Sequence, residues 1–315
     1  MNSHPRPVLE GIPSCQGVPE YHPPVFSGGS DVRPGDIIDD RFLVTEVLSR
    51  SGLTMIFKAQ DLHNGSADVA LKVPHPEQER EAGFLARFRR EEEIGLRMAH
   101  PLLLKFIPIT TARTRPYIVT EYVRGCTLAH LLTAISPLPE SDALRIGVLL
   151  CEALEYLHGH GVAHCDLKPH NVMVGCDSTI RLLDFGLATP IGWRRALFDR
   201  PAPPMGTPDY LAPEQAEGRR GDARTDIYSL GAMLYEMLTG RLPFEGDNAL
   251  VVINARLVDD PEPLREINPS VSPEAEQIVQ QAMDRRPAGR HSCARDLGGE
   301  LARAAGRRPS GKGTP

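Results

Sequence analysis

Nothing in this chain of 315 residues approaches the roughly 20 consecutive apolar residues that a helix needs to cross a bilayer. Its longest apolar stretches, around 146–157 and 227–238, are interrupted by Arg, Glu or Ser at helical spacing and read as core helices. The first residues, MNSHPRPVLEG, lack a basic start followed by an apolar segment, so no secretory leader is expected there. Six cysteines (Cys15, Cys126, Cys151, Cys165, Cys176, Cys293) include no C-x-x-C pair. Metal-ligand spacing and a disulfide framework are therefore both missing, and a reducing cytoplasm is the expected setting. An excess of positive charge is missing too. Lys and Arg number 35 against 41 Asp and Glu, a net charge of -6, which argues against nucleic acid as the main partner.

What is present is an ordinary globular composition, 41% hydrophobic and 24% charged, in a chain long enough for one large or two small domains. Residues 1–36 are rich in Pro, Gly, Ser and His without periodicity and read as a disordered arm. Residues 306–315 read as a short basic tail. Between them, β-type runs come first: Phe42–Leu48, Thr54–Gln60, Asp68–Val73, Phe106–Ala112 and Tyr117–Glu121, with one charged helical stretch, Glu79–Ala99. From Leu128 helices dominate. Ser141–Gly159 carries an apolar stripe (Leu144, Val148, Cys151, Leu154, Leu157) behind the cap pair Ser141-Asp142, and Asp226–Thr239, Leu250–Ala255 and Pro273–Met283 follow. The expectation is a small β-rich lobe, 37–122, before a larger helical lobe, 123–305, with a ligand cleft between them.

The chemistry concentrates in His164-Cys165-Asp166-Leu167-Lys168-Pro169-His170-Asn171, followed thirteen residues later by Asp184-Phe185-Gly186. An acid, a lysine and an amide at fixed spacing in one loop, with a second acid nearby, suit the orientation of a hydroxyl and the holding of magnesium for phosphoryl transfer. Upstream, Val69-Ala70-Leu71-Lys72-Val73 is an apolar strand carrying one lysine. Buried, that lysine requires a partner, and Glu91, Glu92 and Glu93 are three adjacent choices. The bland readings are a solvated strand-edge lysine and ordinary surface loop acids.

In this order the motifs resemble the protein kinase family: VALK, a helix glutamate, HCDLKPHN, DFG, then Ala212-Pro213-Glu214, Asp226-Ile227-Tyr228-Ser229-Leu230-Gly231 and Arg290. The resemblance covers roughly 40–300 and is nearest to bacterial eukaryotic-like (Hanks-type) Ser/Thr kinases, on PYIVTEYVRG and GTPDYLAPEQ. It implies a two-lobed α+β fold, ATP and Mg2+, and a protein substrate with a Ser/Thr acceptor. Aligned on His100-Pro101, it selects Glu91 to position Lys72 on the α- and β-phosphates. Asp166 would accept or orient the acceptor proton, Lys168 would neutralise the transferring group, and Asn171 and Asp184 would bind magnesium. Thr120 would back the adenine pocket, with backbone groups of Glu121 and Val123 on the adenine. Leu48, Ile56, Ala70 and Met173 would supply apolar walls, a role compatible with plain core packing. Lys168-Pro169 and Thr207 favour Ser/Thr over Tyr. Glu214 and Arg290 would form a buried pair, Asp226 would tie down the catalytic loop, and His164 and Phe185 would join the stack linking the lobes.

Two departures stand out. The family expects G-x-G-x-x-G over the phosphates, but Ser49, Ser51 and Thr54 replace the glycines, and Gly52 occupies a spacer position. A stiffer lid follows, because glycine's conformational freedom is lost. The second is Cys165, where many kinases carry an arginine that pairs with a phosphorylated activation segment. From Ala188 to Gly206 that segment has one hydroxyl-bearing Ser or Thr, Thr189. The missing arginine and the missing acceptors agree, and the expectation is activity independent of loop phosphorylation. Arg194, Arg195 and Arg200 near Trp193 form either a docking face or a solvated run. An active kinase is the first reading, and a nucleotide-binding pseudokinase scaffold or a small-molecule kinase are the alternatives. Regulatory input would come from a partner, from the 1–36 arm or from homodimerisation, and Ser27, Ser30, Ser310 and Thr314 are possible autophosphorylation sites.

Overall fold

The computed structural model describes residues 31–191 and 208–306. Five antiparallel strands come first: β1 (Ile37–Ile38), β2 (Phe42–Arg50), β3 (Thr54–Asp61), β4 (Ala67–Pro74) and β5 (Ile118–Glu121), each paired with its sequence neighbour. Helix α1 (Ala82–Arg97) lies between β4 and β5 in the chain. Strand alternation makes the two faces of the sheet different. Met55, Phe57, Ala59, Val69, Leu71 and Val73 are buried in one core with Phe42, Val44, Tyr117 and Val119. On the other face Ile56 sits opposite Lys72, and Ala70 opposite Thr120. Ile118 on that face joins the same core as Phe84 and Phe88 of α1.

The larger lobe follows. It contains β6 (Gly125–Thr127), α2 (Leu128–Ala134), α3 (Glu140–Gly159), β7 (Val162–Ala163), β8 (Val172–Gly175), β9 (Ile180–Leu182) and β10 (Thr189–Pro190). Then come α4 (Pro213–Ala216), α5 (Ala223–Thr239), α6 (Ala249–Val258), α7 (Leu264–Ile267), α8 (Pro273–Ala282) and α9 (Ala294–Gly306). This is a two-lobed α+β fold. Helix α5 is its axis: it is buried almost throughout, Asp222 accepts from the Arg224 amide at its start, and Gly240 ends it in the left-handed conformation. Strands β6-β8-β9 form a small sheet, and β10 pairs with β7. The loop 164–171 leaves β7 and the Asp184 turn leaves β9, so two short strand systems set their separation.

Several boundaries differ from the sequence expectation. Phe106–Ala112 is not a strand, and only Phe106 bridges Thr120. Pro108 has no N–H for a ladder, and Ile107 and Ile109 pack on the small-lobe core instead. Helix α1 starts at Ala82 with Glu81 as its cap, while Glu79 belongs to a separate 3-10 turn, Gln78–Arg80. Helix α3 opens at Glu140 behind Pro139 without a side-chain cap, so Ser141-Asp142 lie inside its first turn rather than before it. The arm boundary at residue 36 falls within a packed segment: Val32 is buried, and the Gly35 amide donates to Val44 O. Helix α9 was not anticipated. Its buried face, Leu297, Leu301 and Ala304, recurs at helical spacing, but Gly298 and Gly299 dilute the pattern.

Candidate active site

Lys72 projects from β4 toward α1, and its Nζ donates to Glu91 Oε1 at 2.6 Å. Asp184 Oδ2 lies 3.5 Å from the same nitrogen. Glu91 is 5% exposed, while the next acid along α1, Glu92, turns to a different partner, Arg113. The one-residue rotation of the helix therefore decides among the three glutamates. Burial would strip Lys72 of its proton, but the Glu91 and Asp184 charges outweigh that and hold it above the ordinary lysine range. Burial pushes Glu91 up, Lys72 pulls it down, Asp184 adds to the push, and the net direction is upward. Burial likewise pushes Asp184 up, but Lys72 and the Gly186 amide win, leaving its carboxyl below the usual range. Two carboxylates thus share one ammonium.

Helix α1 is held at this distance by a close approach. A Cβ on Gly95 would collide with the Phe106 ring, and Phe106 packs against Phe185 with centroids 5.8 Å apart. Gly95→Ala is expected to push α1 outward, lengthen the Lys72–Glu91 contact and lower turnover about tenfold, at a stability cost of about 1–3 kcal/mol. Steady-state kinetics beside a melting curve check this, and unchanged turnover would refute it.

The catalytic-loop side chains form one network. Lys168 Nζ donates to Asp166 Oδ2 at 2.8 Å, and Asn171 Nδ2 donates to Asp166 O and Oδ2 at 2.9 and 3.0 Å. Both contacts on Nδ2 are acceptors, so the amide oxygen must be the atom turned elsewhere. Asp226, rising from buried α5, accepts the His164 and Cys165 amides at 2.8 and 2.7 Å and contacts His158 Nε2 at 2.8 Å. Gln215 Nε2 donates to Cys165 O at 2.9 Å. His164 Nε2 meets Leu183 O at 2.9 Å and its ring stands edge-on to Phe185 at 5.9 Å. Cys165 and Asp184 both take positive φ, 61° and 59°, conformations that cost energy outside glycine and need such surrounding bonds.

The donor set suits magnesium. Asp184 contributes a carboxylate that is 37% exposed, against 6% for Glu91, and Asn171 contributes an amide oxygen. Magnesium takes oxygen ligands and keeps several positions for phosphate and water, so one carboxylate and one amide are enough. No cluster of three or more His, Cys, Asp or Glu side chains suited to a metal occurs among the described residues.

The lid is a tight hairpin. Ser51 Oγ accepts from the Thr54 amide at 3.0 Å and the Leu53 amide at 3.3 Å, and donates to Thr54 O at 2.9 Å. His75 Nε2 contacts Ser51 O at 2.8 Å, and the His75 amide donates to Leu53 O at 3.0 Å. The replacing serine occupies two of the loop's own amides, and His75 bonds the tip from both sides of Gly52. The sequence reading missed His75, and also Gln215, whose only signal was its place directly after Glu214.

At Cys165 the thiol is buried, 3.2 Å from Thr189 Oγ1, and burial and the Asp226 charge push its pKa far up, so it stays a neutral thiol. Thr189 Oγ1 also reaches Gly221 O at 3.4 Å. Among the remaining expected residues, Ser49 pairs with Ile56 across β2 and β3, and Leu48 sits at the register shift between Val47 and Ser49. Gly52 is at the exposed hairpin tip. Thr120 and Glu121 end β5; the Glu121 amide donates to Lys105 O, and its carboxylate accepts from Lys105 N and Arg181 Nε. Val123 follows, half-buried, and Met173 lies on β8 opposite Thr127 and Arg181. Thr207, Trp193, Arg194, Arg195 and Arg200 lie outside the described residues, as do Ser27, Ser30, Ser310 and Thr314.

A β-lobe lysine paired to a helix acid, a second Asp turn beside it, and a loop joining Asp166, Lys168 and Asn171 are the polar groups this fold brings together. Comparison with known proteins agrees. Residues 50–298 match the protein kinase domain family, and the chain belongs to that family. It is 35% identical over 270 residues to the serine/threonine-protein kinase PknB of Mycolicibacterium smegmatis, covering 84% of this chain and 43% of that protein. The corresponding protein of Mycobacterium tuberculosis is 34% identical over 270 residues, with the same coverage of 84% and 43%. A probable serine/threonine-protein kinase of Streptomyces coelicolor is 35% identical over 261 residues, 82% of this chain and 39% of that protein. The chain therefore spans about two fifths of the length of these curated relatives. No helix among the described residues is long and apolar enough to cross a membrane.

Proposed function

We propose that this chain transfers the γ-phosphoryl group of ATP to Ser or Thr hydroxyls of a protein substrate, with residues 37–122 and 123–305 as the lobes that close on the nucleotide. The observation that carries this reading is the assembled polar set, with Lys72 on Glu91 at 2.6 Å and Asp166 bonded to both Lys168 and Asn171. Lys72, held charged, binds the α- and β-phosphates. The Glu121 and Val123 backbone meets adenine, with Thr120 behind it and Leu48, Ile56, Ala70 and Met173 as apolar walls. Ser49, Ser51 and Gly52 cover the phosphates. Asn171 and Asp184 hold Mg2+, which when bound neutralises charge on the phosphates. Asp166 orients the acceptor hydroxyl and takes its proton, and Lys168 offsets charge as the phosphoryl group moves.

Radiolabelled ATP, magnesium and a basic protein acceptor test this directly: label is expected on serine and threonine. Tight nucleotide binding without transfer would favour the pseudokinase alternative, and label on a small molecule alone would favour the third.

Activity independent of loop phosphorylation is the second part of the proposal. It is supported by Cys165 in place of an arginine and by the engagement of Thr189 Oγ1 with Cys165 Sγ and Gly221 O. Mass spectrometry of fully active protein is expected to find residues 187–207 unmodified. An obligatory phosphate there would sink this part.

A further inference from the structure

The stretch Arg113–Tyr117, just before β5, has no assigned role, yet it reaches three separate parts of the small lobe. Arg113 donates from Nη1 and Nη2 to both carboxylate oxygens of Glu92 on α1, at 3.1 and 2.5 Å. Its Nη1 also donates to Tyr117 O at 2.7 Å, and the guanidinium lies 5.0 Å from the Tyr117 ring centroid. Arg115 donates from Nε and Nη2 to Glu79 Oε1 in the turn before α1, and from Nη1 to Asp31 Oδ1 at 2.6 Å. Thr114 donates its amide and hydroxyl to Asp39 Oδ1, and Tyr117 donates its hydroxyl to Asp39 Oδ2 at 2.6 Å.

These contacts share one geometry. Glu92 is adjacent in sequence to Glu91, and a bidentate fork on a carboxylate fixes both position and rotation of the helix that carries it. The Arg113 and Glu92 side chains are 22% and 16% exposed, so the pair is shielded from the screening that weakens surface bridges. Arg115 holds the turn that leads into α1, and its side chain is 14% exposed. The other end is anchored firmly: Tyr117 is fully buried and edge-on to Phe42 at 5.8 Å. Asp31 before β1 and Asp39 in the turn after β1 close the outside.

We infer that Arg113 and Arg115 are positioning residues that hold α1 in the orientation seating Glu91 on Lys72, so that the segment 31–39 is coupled to the catalytic lysine through this clasp. It rests on the phosphoryl-transfer reading. A helix held in place from its outer face needs no phosphorylated activation segment to swing it inward. The clasp gives the unphosphorylated chain a source of active-state order at the small lobe. Loosening it lowers the fraction of molecules with Glu91 seated, and apparent activity falls by that fraction.

The test compares wild type with Arg113→Ala, Arg115→Ala, Arg113→Lys, Glu92→Gln and the double variant Arg113→Ala/Glu92→Gln. Amide exchange is followed in α1 and in α5, beside steady-state kinetics in ATP and in protein acceptor. Arg113→Ala is expected to raise α1 exchange and lower kcat/KM for ATP about tenfold, with the KM for acceptor and α5 exchange unchanged. Arg113→Lys is expected to fall between it and wild type, and the double variant to be no worse than the single one. Unchanged α1 exchange, or exchange raised equally in α1 and α5, overturns the inference, the latter by reducing the clasp to general stability. If wild type transfers no phosphate, the functional reading fails, while the exchange arm still decides whether the clasp holds α1.

Discussion

Asp184→Asn is expected to abolish phosphoryl transfer, lowering kcat by about a thousandfold or more while the protein stays folded. The substitution keeps the side chain's size and leaves an oxygen for the Gly186 amide, which Asp184 Oδ1 accepts at 2.8 Å. What it removes is charge. Asp184 is held ionised because Lys72 and the Gly186 amide overcome the effect of burial, and Asn cannot supply that charge to a divalent cation. Lys72 keeps Glu91 as its partner at 2.6 Å, so the small lobe is expected to stay assembled and the melting temperature to move by only a few degrees. Labelled-ATP assays beside a melting curve measure both. Activity within tenfold of wild type would show that Asp184 does not carry the cation.

The second large effect is on stability. Arg290→Ala is expected to cost about 3–5 kcal/mol, because it leaves Glu214 as a buried charge without its counterion. The pair is bidentate, Nη1 to Oε1 and Nη2 to Oε2 at 2.8 Å each, and the side chains are 0% and 6% exposed. Arg290 also donates to Asp284 O and Arg224 O, and Thr225 Oγ1 donates to Glu214 Oε1, so α4, α5 and the turn after α8 lose a common anchor. A fall in melting temperature on the order of 10 °C follows from that cost. The pH dependence has a definite sign. Burial pushes the Glu214 carboxyl up, but Arg290 and Thr225 outweigh it, so the folded pKa lies below the unfolded one. The pair's contribution is complete above the ordinary glutamate value of about 4.3 and is lost as pH falls below it. Wild type is expected to lose melting temperature faster than Arg290→Ala on acidification below that value. Parallel acid profiles would refute the assignment.

Legibility differed between kinds of feature. Lys72, Asp166, Lys168, Asn171 and Asp184 were readable because each sits in a short segment with characteristic neighbours: a strand with alternating burial, or a loop where the amide follows the acid by five positions. Strands β3 and β4 were readable for the same reason, burial alternating along the strand, whereas β5 buries Ile118, Val119 and Thr120 in succession. The run 106–112 misled, because its apolar residues serve core packing while Pro108 prevents a ladder. Helix α9 was missed because small residues packed on α3 dilute an apolar stripe.

Taken alone, the residues fixed which polar groups the proposed reaction would use and their order along the chain, because those groups lie in short segments set by local spacing. Local spacing left three adjacent glutamates open and the family resemblance selected Glu91, and the rotation of α1 is what seats Glu91 on Lys72 and turns Glu92 to Arg113. The residues implied a stiff lid from the lost glycines, and only the folded hairpin shows the bonds that Ser51 and His75, 24 residues away, make at its tip. Contacts between residues this far apart carry no periodic or spacing signal. They depend on how helices and strands pack, and the tertiary structure decides that.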